Sequence, residues 1–361
     1  MALTVKYSSK LDIISLVCKY LCDKLHHTTM TRFRTTIEIP KSKHCITHKN
    51  NLLLTGSCFA SNIGAMLAER KFNIDINPFG VLYNPLSIST MFTRVIDGQP
   101  FTQESPELFE HCGKWHSILH HSDWSRNSRE ELLEAINGSL GRCHSKAGIY
   151  DTVIITFGTA YAYTRNSDNI VVGNCHKLPS GMFTRRLLSI DEIVDATAEV
   201  IIKFRNINPG IRFIFTVSPI RHLRDGAHDN QKSKATLLLA IDRIMSLYPD
   251  NTSYFPAYEI VLDELRDYRF YTDDMVHPSP VAVEYIWECF SKAIFNENTQ
   301  KLNEEIEAVL RATGHRPFDA TSDGYRNFLC NLLKKIEGFE EKYPYLNFDN
   351  ERMRCNTLLN K

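Results

Sequence analysis

The segment Leu52-Leu53-Leu54-Thr55-Gly56-Ser57-Cys58-Phe59-Ala60-Ser61 constrains the fold more than any other part of the chain. Leu52 to Leu54 is a short apolar run of the kind that forms a buried strand. It stops at a glycine, and Ile63, Met66 and Leu67 then recur at helical spacing. Strand, tight glycine turn and helix together lift a side chain into solvent at the carboxyl end of a parallel sheet. Two nucleophile types stand side by side on this turn, Ser57 and Cys58. A helix N-terminus behind them offers unpaired N–H groups and a partial positive charge, which stabilise a thiolate or a developing oxyanion.

The far end of the chain carries a matching element. Asp274-Met275-Val276-His277 precedes another helical pattern, Val281 to Phe295. Residues three apart share a face of one turn, so Asp274 can accept the Nδ1 proton of His277. The tautomer is then fixed and Nε2 is left as a base toward a nucleophile.

Between these ends the chain alternates. Asp151 to Phe157 and Ile211 to Val217 are β-branched apolar runs typical of buried parallel strands, and a further strand is expected at Tyr254. Ile190 to Phe204 and Lys232 to Leu247 carry helical periodicity. Strands alternating with helices imply right-handed crossovers and one doubly wound parallel sheet. Ligands bind such sheets beyond the strand carboxyl ends, near the switch in strand order. Gly56-Ser57-Cys58, Gly158-Thr159, Ser218-Pro219 and Asp274–His277 all fall at that edge.

The order of these motifs, a GSC turn early and Asp-x-x-His late, is that of an SGNH/GDSL-type hydrolase. From about Met30 to Phe290 the chain resembles the GSCFA family more specifically, through the pentapeptide Gly56 to Ala60. Asn77-Pro78-Phe79-Gly80-Val81-Leu82-Tyr83-Asn84-Pro85, Thr156-Phe157-Gly158-Thr159-Ala160-Tyr161, Asn174-Cys175-His176-Lys177, Ser218-Pro219-Ile220-Arg221-His222 and Tyr254-Phe255-Pro256-Ala257-Tyr258-Glu259 continue the match. The resemblance implies a three-layer, flavodoxin-like parallel sheet of the SGNH type. It also implies acyl-transfer chemistry through a Cys/Ser-His-Asp site. Laid on the SGNH pattern Gly-Asp-Ser, Cys58 stands at the nucleophile position, with Ser57 as the alternative. A helix N-terminus and a nearby imidazolium would lower the Cys58 pKa by roughly a unit or more.

In SGNH proteins the oxyanion donors are the nucleophile's N–H, a glycine N–H and an asparagine side chain. Gly80 is placed as the second. Where Gly-x-Asn-Asp is expected for the third, this chain has Gly158-Thr159-Ala160-Tyr161, leaving the Thr159 hydroxyl or N–H to donate. Loss of one donor costs about 2.7–4 kcal/mol of transition-state stabilisation. That weighs against efficient hydrolysis of a simple ester and leaves open a thioester or transfer reaction, whose acyl group is already activated. Asn84, His176, Lys177, Arg221 and His222 are read as substrate-binding, with Lys177 and Arg221 gripping a carboxylate or phosphate. The two function classes are therefore an SGNH-like esterase or acyltransferase acting on an acylated small molecule, glycan or thioester, and a non-catalytic ligand- or glycan-binding module retaining the fold. No cofactor is implied. A metal held by His176, His222 and His277 has no ligand spacing to support it.

Lysine plus arginine and aspartate plus glutamate balance at 42 each in 361 residues, which removes the electrostatic footprint of a nucleic-acid binder. No apolar run reaches the ~18 residues that span a bilayer. The ten cysteines are scattered without zinc spacing, a pattern expected of a reducing cytoplasm. Met30 to Pro40 reads as the natural start of the domain, with a strand Phe33 to Ile39. Residues 1–29 are then a non-native or poorly ordered extension, with a small helical addition at Leu11 to Leu21 as the alternative. The α/β domain is expected over residues 30–298. Beyond it, Gln300 to Thr313 and Asp323 to Glu341 read as two charged helices of a C-terminal extension over residues 299–361, whose apolar faces pack on the domain or on each other.

Overall fold

The structure, a computed structural model, describes residues 34–360. The segment Leu11 to Leu21 and the rest of the expected extension lie outside the described residues. Residues 35–39 carry no strand, so the one expected over Phe33 to Ile39 is not formed there.

Five parallel strands make the central sheet: β1 (Asn51–Gly56), β2 (Asn73–Ile76), β5 (Thr152–Phe157), β9 (Arg212–Val217) and β10 (Thr252–Tyr254). They run in the order β10-β9-β5-β1-β2, so the order reverses between β1 and β5. The register is regular across that switch, with Gly56 opposite Thr156 and Thr156 opposite Thr216. Buried on both faces, β5 reads as a nearly continuous apolar run, Val153, Ile154, Ile155 and Phe157, broken only by the buried Thr156. On one face Leu53, Val153 and Phe213 pack against α2 (Pro85–Asp97), α3 (Arg129–Lys146), α4 (Ile190–Ile207) and α5 (Gly226–Leu247). Toward the other, α1 (Cys58–Glu69) and α6 (Pro280–Ile294) come together through rings, Phe59 on Phe255 at 5.8 Å and Phe255 on Phe290 at 5.2 Å. The fold is thus the doubly wound α/β layer arrangement that the alternation of strands and helices implies.

Local signals explain the helix boundaries near the site. Asn84 caps α2 by accepting the Ser87 N–H, Pro85 occupies the first turn, and Gly98 ends the helix at φ 63°. Ser189 and Glu192 form a reciprocal capping box on α4.

Short antiparallel elements are inserted between the parallel strands. A hairpin joins β3 (Leu108–His111) to β4 (Lys114–Ser117), and β6 (Tyr161–Arg165), β7 (Val171–Val172) and β8 (Phe183–Leu187) form a ribbon in the order β7-β6-β8. The C-terminal helices α7 (Glu297–Gly314), α8 (Asp323–Lys342) and α9 (Asp349–Leu359) bury their own core of Ile306, Val309, Leu329, Ile336 and Phe348. They also reach the residues just after α1, where Arg70 pairs with Glu307 and Lys71 with Glu351, each at 2.7 Å.

Candidate active site

The turn after β1 is built from the core outward. Gly56 adopts φ +128°, and a Cβ there would lie 2.1 Å from the carbonyl oxygen of Thr156, so only glycine lets β1 leave the sheet this close to β5. Its N–H donates to Asn77 Oδ1 at 2.9 Å, and Asn77 Nδ2 donates to Ser61 Oγ at 2.9 Å, pinning the turn to the first helical turn of α1. Ser57 occupies the N-cap position, yet its hydroxyl caps nothing. That hydroxyl is buried, with no hydrogen-bond partner among the described residues. Cys58, the first residue of α1, is partly exposed in the cleft above.

Burial pushes the Cys58 thiol above its ordinary pKa, and the residue's own backbone N–H offsets this only in part. The lowered thiolate expected from the helix N-terminus is therefore not the resting state. Around Cys58 lie apolar side chains of α1 and α6, and removing water from a charged sulfur there outweighs the helix end.

The base arm has a different construction. His277 Nδ1 donates to Asp274 Oδ2 at 2.5 Å, while Asp274 Oδ1 accepts the N–H groups of Val276 and His277 at 2.9 Å each. Thr272 Oγ1 donates to the same oxygen at 2.8 Å. These bonds hold the Asp274 carboxyl well below its usual range. Both side chains are about half exposed, Asp274 at 49% and His277 at 48%.

Cys58 and His277 line one cleft of about 720 Å³ at the carboxyl ends of β1, β5 and β9. Lys177, Arg185, Arg221 and Arg224 bring four positive charges to its wall, and no carboxylate lines it among the described residues. Arg185 stacks on Tyr161 with 3.8 Å from guanidinium to ring centre.

A family model described as the GSCFA family matches residues 51–290, and one described as the GSCFA domain protein, C-terminal domain, matches residues 306–361. The chain belongs to the GSCFA family. No curated protein matches it. Among solved structures it is similar to a carbohydrate esterase family 2 enzyme plus carbohydrate binding domain from Corynascus thermopiles (Myceliophthora fergusii). That match has 14% identity and a TM-score of 0.33, covering 72% of this chain and 67% of that one. It is also similar to an acetyl xylan esterase from the rumen bacterium Butyrivibrio proteoclasticus, at 11% identity and a TM-score of 0.29, covering 77% of this chain and 66% of the other.

In this GSCFA chain the residues singled out from sequence fall into two groups. Cys58, Ser57, Asn84, Thr159, Lys177, Arg221, His222 and His277 all line the cleft. His176 does too, but its ring is buried in the wall, donating Nε2–H to the Ser117 carbonyl at 2.8 Å and lying 4.7 Å from the His116 ring. Burial takes its pKa down to about 4, so it is a neutral wall residue rather than a grip on substrate. Gly80 is elsewhere. It lines a separate hollow with Asn77 and Trp124, and its N–H donates to the Asn77 carbonyl at 2.8 Å, which corrects its placement as an oxyanion donor. The Thr159 N–H is likewise taken, by the Tyr83 carbonyl at 3.1 Å, and its hydroxyl meets Ser233 Oγ at 3.1 Å. Among the described residues no three His, Cys, Asp or Glu side chains gather as metal ligands.

Sequence reading missed three contributors. Tyr83 lines the cleft, and its hydroxyl is raised in pKa by burial and then by the nearby Cys58 charge. Asn77 holds the nucleophile turn, as described. Lys234 lies under the floor, donating to the carbonyls of Gly158 at 2.6 Å and Ser218 at 2.7 Å, and burial takes its pKa down to about 7. A signal for Lys234 did exist. It sits on the buried face of α5 with Leu237 and Ile241, where a lysine must find internal acceptors.

Proposed function

We propose that the protein is an SGNH-like esterase or acyltransferase in which Cys58 is the nucleophile and His277, oriented by Asp274, is the base. The substrate is an acylated small molecule, glycan or thioester whose non-acyl part is anionic. One observation carries the reading: a partly exposed cysteine on a strand–glycine–helix turn shares a cleft with a histidine whose Nδ1 is already bonded to a carboxylate. In the reaction Cys58 Sγ attacks the acyl carbonyl carbon and its proton passes to His277 Nε2. The bond to the leaving oxygen or sulfur then breaks as His277 returns the proton to it. Water, or an acceptor hydroxyl or thiol, releases the acyl group in the second half. The raised thiol pKa requires such a base, since the resting group is protonated. The buried Ser57 hydroxyl favours Cys58 over Ser57. The Cys58 N–H at the N-terminus of α1 and the Tyr83 hydroxyl are the donors for the oxyanion. The charges of Lys177, Arg221 and Arg224 in the cleft wall favour a phosphate or carboxylate on the leaving group.

The binding-module reading has one observation in its favour: the Gly80 and Thr159 N–H groups are already spent inside the protein. A thiol-directed activity probe and a panel of activated esters and thioesters separate the two. Cys58→Ala is expected to remove the label from the peptide that carries residue 58 and to cut turnover on the order of a thousandfold or more, while Ser57→Ala is mild. If neither substitution changes any turnover and ligand binding survives both, the binding module stands.

A further inference from the structure

Cys58 stands between two spaces of opposite character. On one side is the broad cationic cleft. On the other is a small, mostly apolar pocket between α1 and α6, lined beside Cys58 by Phe59, Ile63, Ile220, Val283 and Ile286, with two prolines and the single polar side chain of Asn62. No charged side chain lines this second space among the described residues, and most of its walls are fixed: Phe59, Ile63, Ile220 and Ile286 are all buried. Its volume is about 20 Å³. A single water-sized group needs roughly 10–15 Å³ on this measure, so the pocket takes one methyl and little more. A sugar, a phosphoester or any other large polar leaving group is excluded by size, and Asn62 is the one polar side chain among the residues that line the pocket. The cleft, by contrast, is more than large enough for such a group.

We infer that the small pocket seats the acyl group and that the acyl group is of acetyl size, an inference that rests on the acyl-transfer reading above. With the methyl between α1 and α6, the carbonyl carbon lies at Cys58 and the leaving group points into the cleft. Attack forms the Sγ–C bond. The bond from that carbon to the leaving oxygen or sulfur breaks, and the leaving atom departs into the cleft with the proton carried by His277. A butyryl chain adds two methylenes that must displace Ile220 or Val283 from a packed interface. Val283 is a partly exposed aliphatic wall residue, and changing it carries little risk to folding.

The test is turnover of 4-nitrophenyl acetate, butyrate and hexanoate by the full chain and by Val283→Ala and Val283→Phe. Wild-type kcat/KM is expected to fall at least about tenfold from acetate to butyrate and further to hexanoate. Val283→Ala should move the optimum toward butyrate, and Val283→Phe, which fills the space, should lower acetate turnover about tenfold without changing thermal stability by more than a few degrees. Turnover with a flat chain-length profile, or a profile that neither variant moves, overturns the pocket assignment and leaves the acyl-transfer reading intact. No Cys58-dependent turnover on any chain length overturns both.

Discussion

The nucleophile and its base sit on parts of the molecule that are made in opposite ways. Gly56-Ser57-Cys58 is held by residues far away in sequence, Asn77 and Thr156, and by the buried strand that precedes it. The loop bearing Asp274 and His277 is held almost wholly by itself. Thr272 N–H donates to the His277 carbonyl at 2.8 Å, Ser279 N–H to the Phe270 carbonyl at 2.8 Å, and Asp274 collects three further donors within the same stretch. The first device is rigid because the core cannot move. The second is ordered by an Asx-type turn, which costs little to build and little to break. A site of this kind fixes its nucleophile against the sheet and leaves the base on the solvent side.

The largest effect should come from breaking the core-built half. Gly56→Ala places a Cβ against the Thr156 carbonyl at a backbone angle that alanine rarely adopts. The expected cost is about 3 kcal/mol or more of stability, read as a lower midpoint in urea, with activity falling alongside. An unchanged midpoint would mean that the turn relaxes, and the contrast between the two halves would lose its basis.

Acid comes next, and it also acts on the core side. His48, His120 and His176 are buried and neutral, with pKa values pushed down by burial to about 4, about 3 and about 4. In the unfolded chain each takes up a proton near pH 6.5. Their folded values are depressed, so the stability they contribute is fully present above about pH 6.5. It is lost as pH falls toward about 4, by up to ~1.4 kcal/mol per pH unit for each group. His120 and His176 both bond to Ser117, so the cleft wall should loosen in this window. The Asp274 carboxyl, held low, stays ionised and keeps its bond to His277. Thermal midpoints measured from pH 7 to pH 4.5, in wild type and in His120→Gln, check this: the variant should show a shallower fall.

A smaller and purely kinetic effect is expected on the local side. Asp274→Asn removes the charge that fixes the imidazole but sits half in water, where such a pair is weakened by solvent. Turnover should drop about tenfold, well short of the loss from a buried triad carboxylate, with no measurable change in stability. A loss of stability instead would show that the loop is tied to the core more firmly than its own hydrogen bonds indicate.

The same contrast explains what could be read from sequence. Strand, glycine and helix at Leu52 to Leu67 are local, and so is Asp-x-x-His, so both were legible along with the alternation that makes the parallel sheet. The oxyanion donors were not, because whether the N–H of Gly80 or Thr159 is available depends on the carbonyls of Asn77 and Tyr83. Pattern alone does not reveal such partners. The hairpin β3–β4 and the β6–β8 ribbon were also missed. Their strands have two to five residues and weak alternation, and their stability comes from packing onto the domain. His176 reads as substrate-binding from sequence for the same reason; only the fold buries it against Ser117 and His116.

The finest test concerns the thiol itself, where the two halves meet. A sequence with cysteine at a helix N-terminus and a histidine nearby suggests a resting thiolate that alkylates fast at neutral pH. In the structure burial favours the neutral thiol and moves its pKa up. Iodoacetamide at roughly pH 7 should therefore modify Cys58 no faster than the exposed Cys112 and Cys330, and the rate should still be climbing at a pH where an ordinary cysteine has levelled off. His277→Ala should leave this alkylation nearly unchanged while it impairs acyl transfer, because the base is needed only when a substrate carbonyl is in place. Should Cys58 instead react several-fold faster than the exposed cysteines at pH 7, and should His277→Ala remove that advantage, the two residues already share a proton at rest. The locally built loop would then be setting the charge of the core-built nucleophile before any substrate arrives.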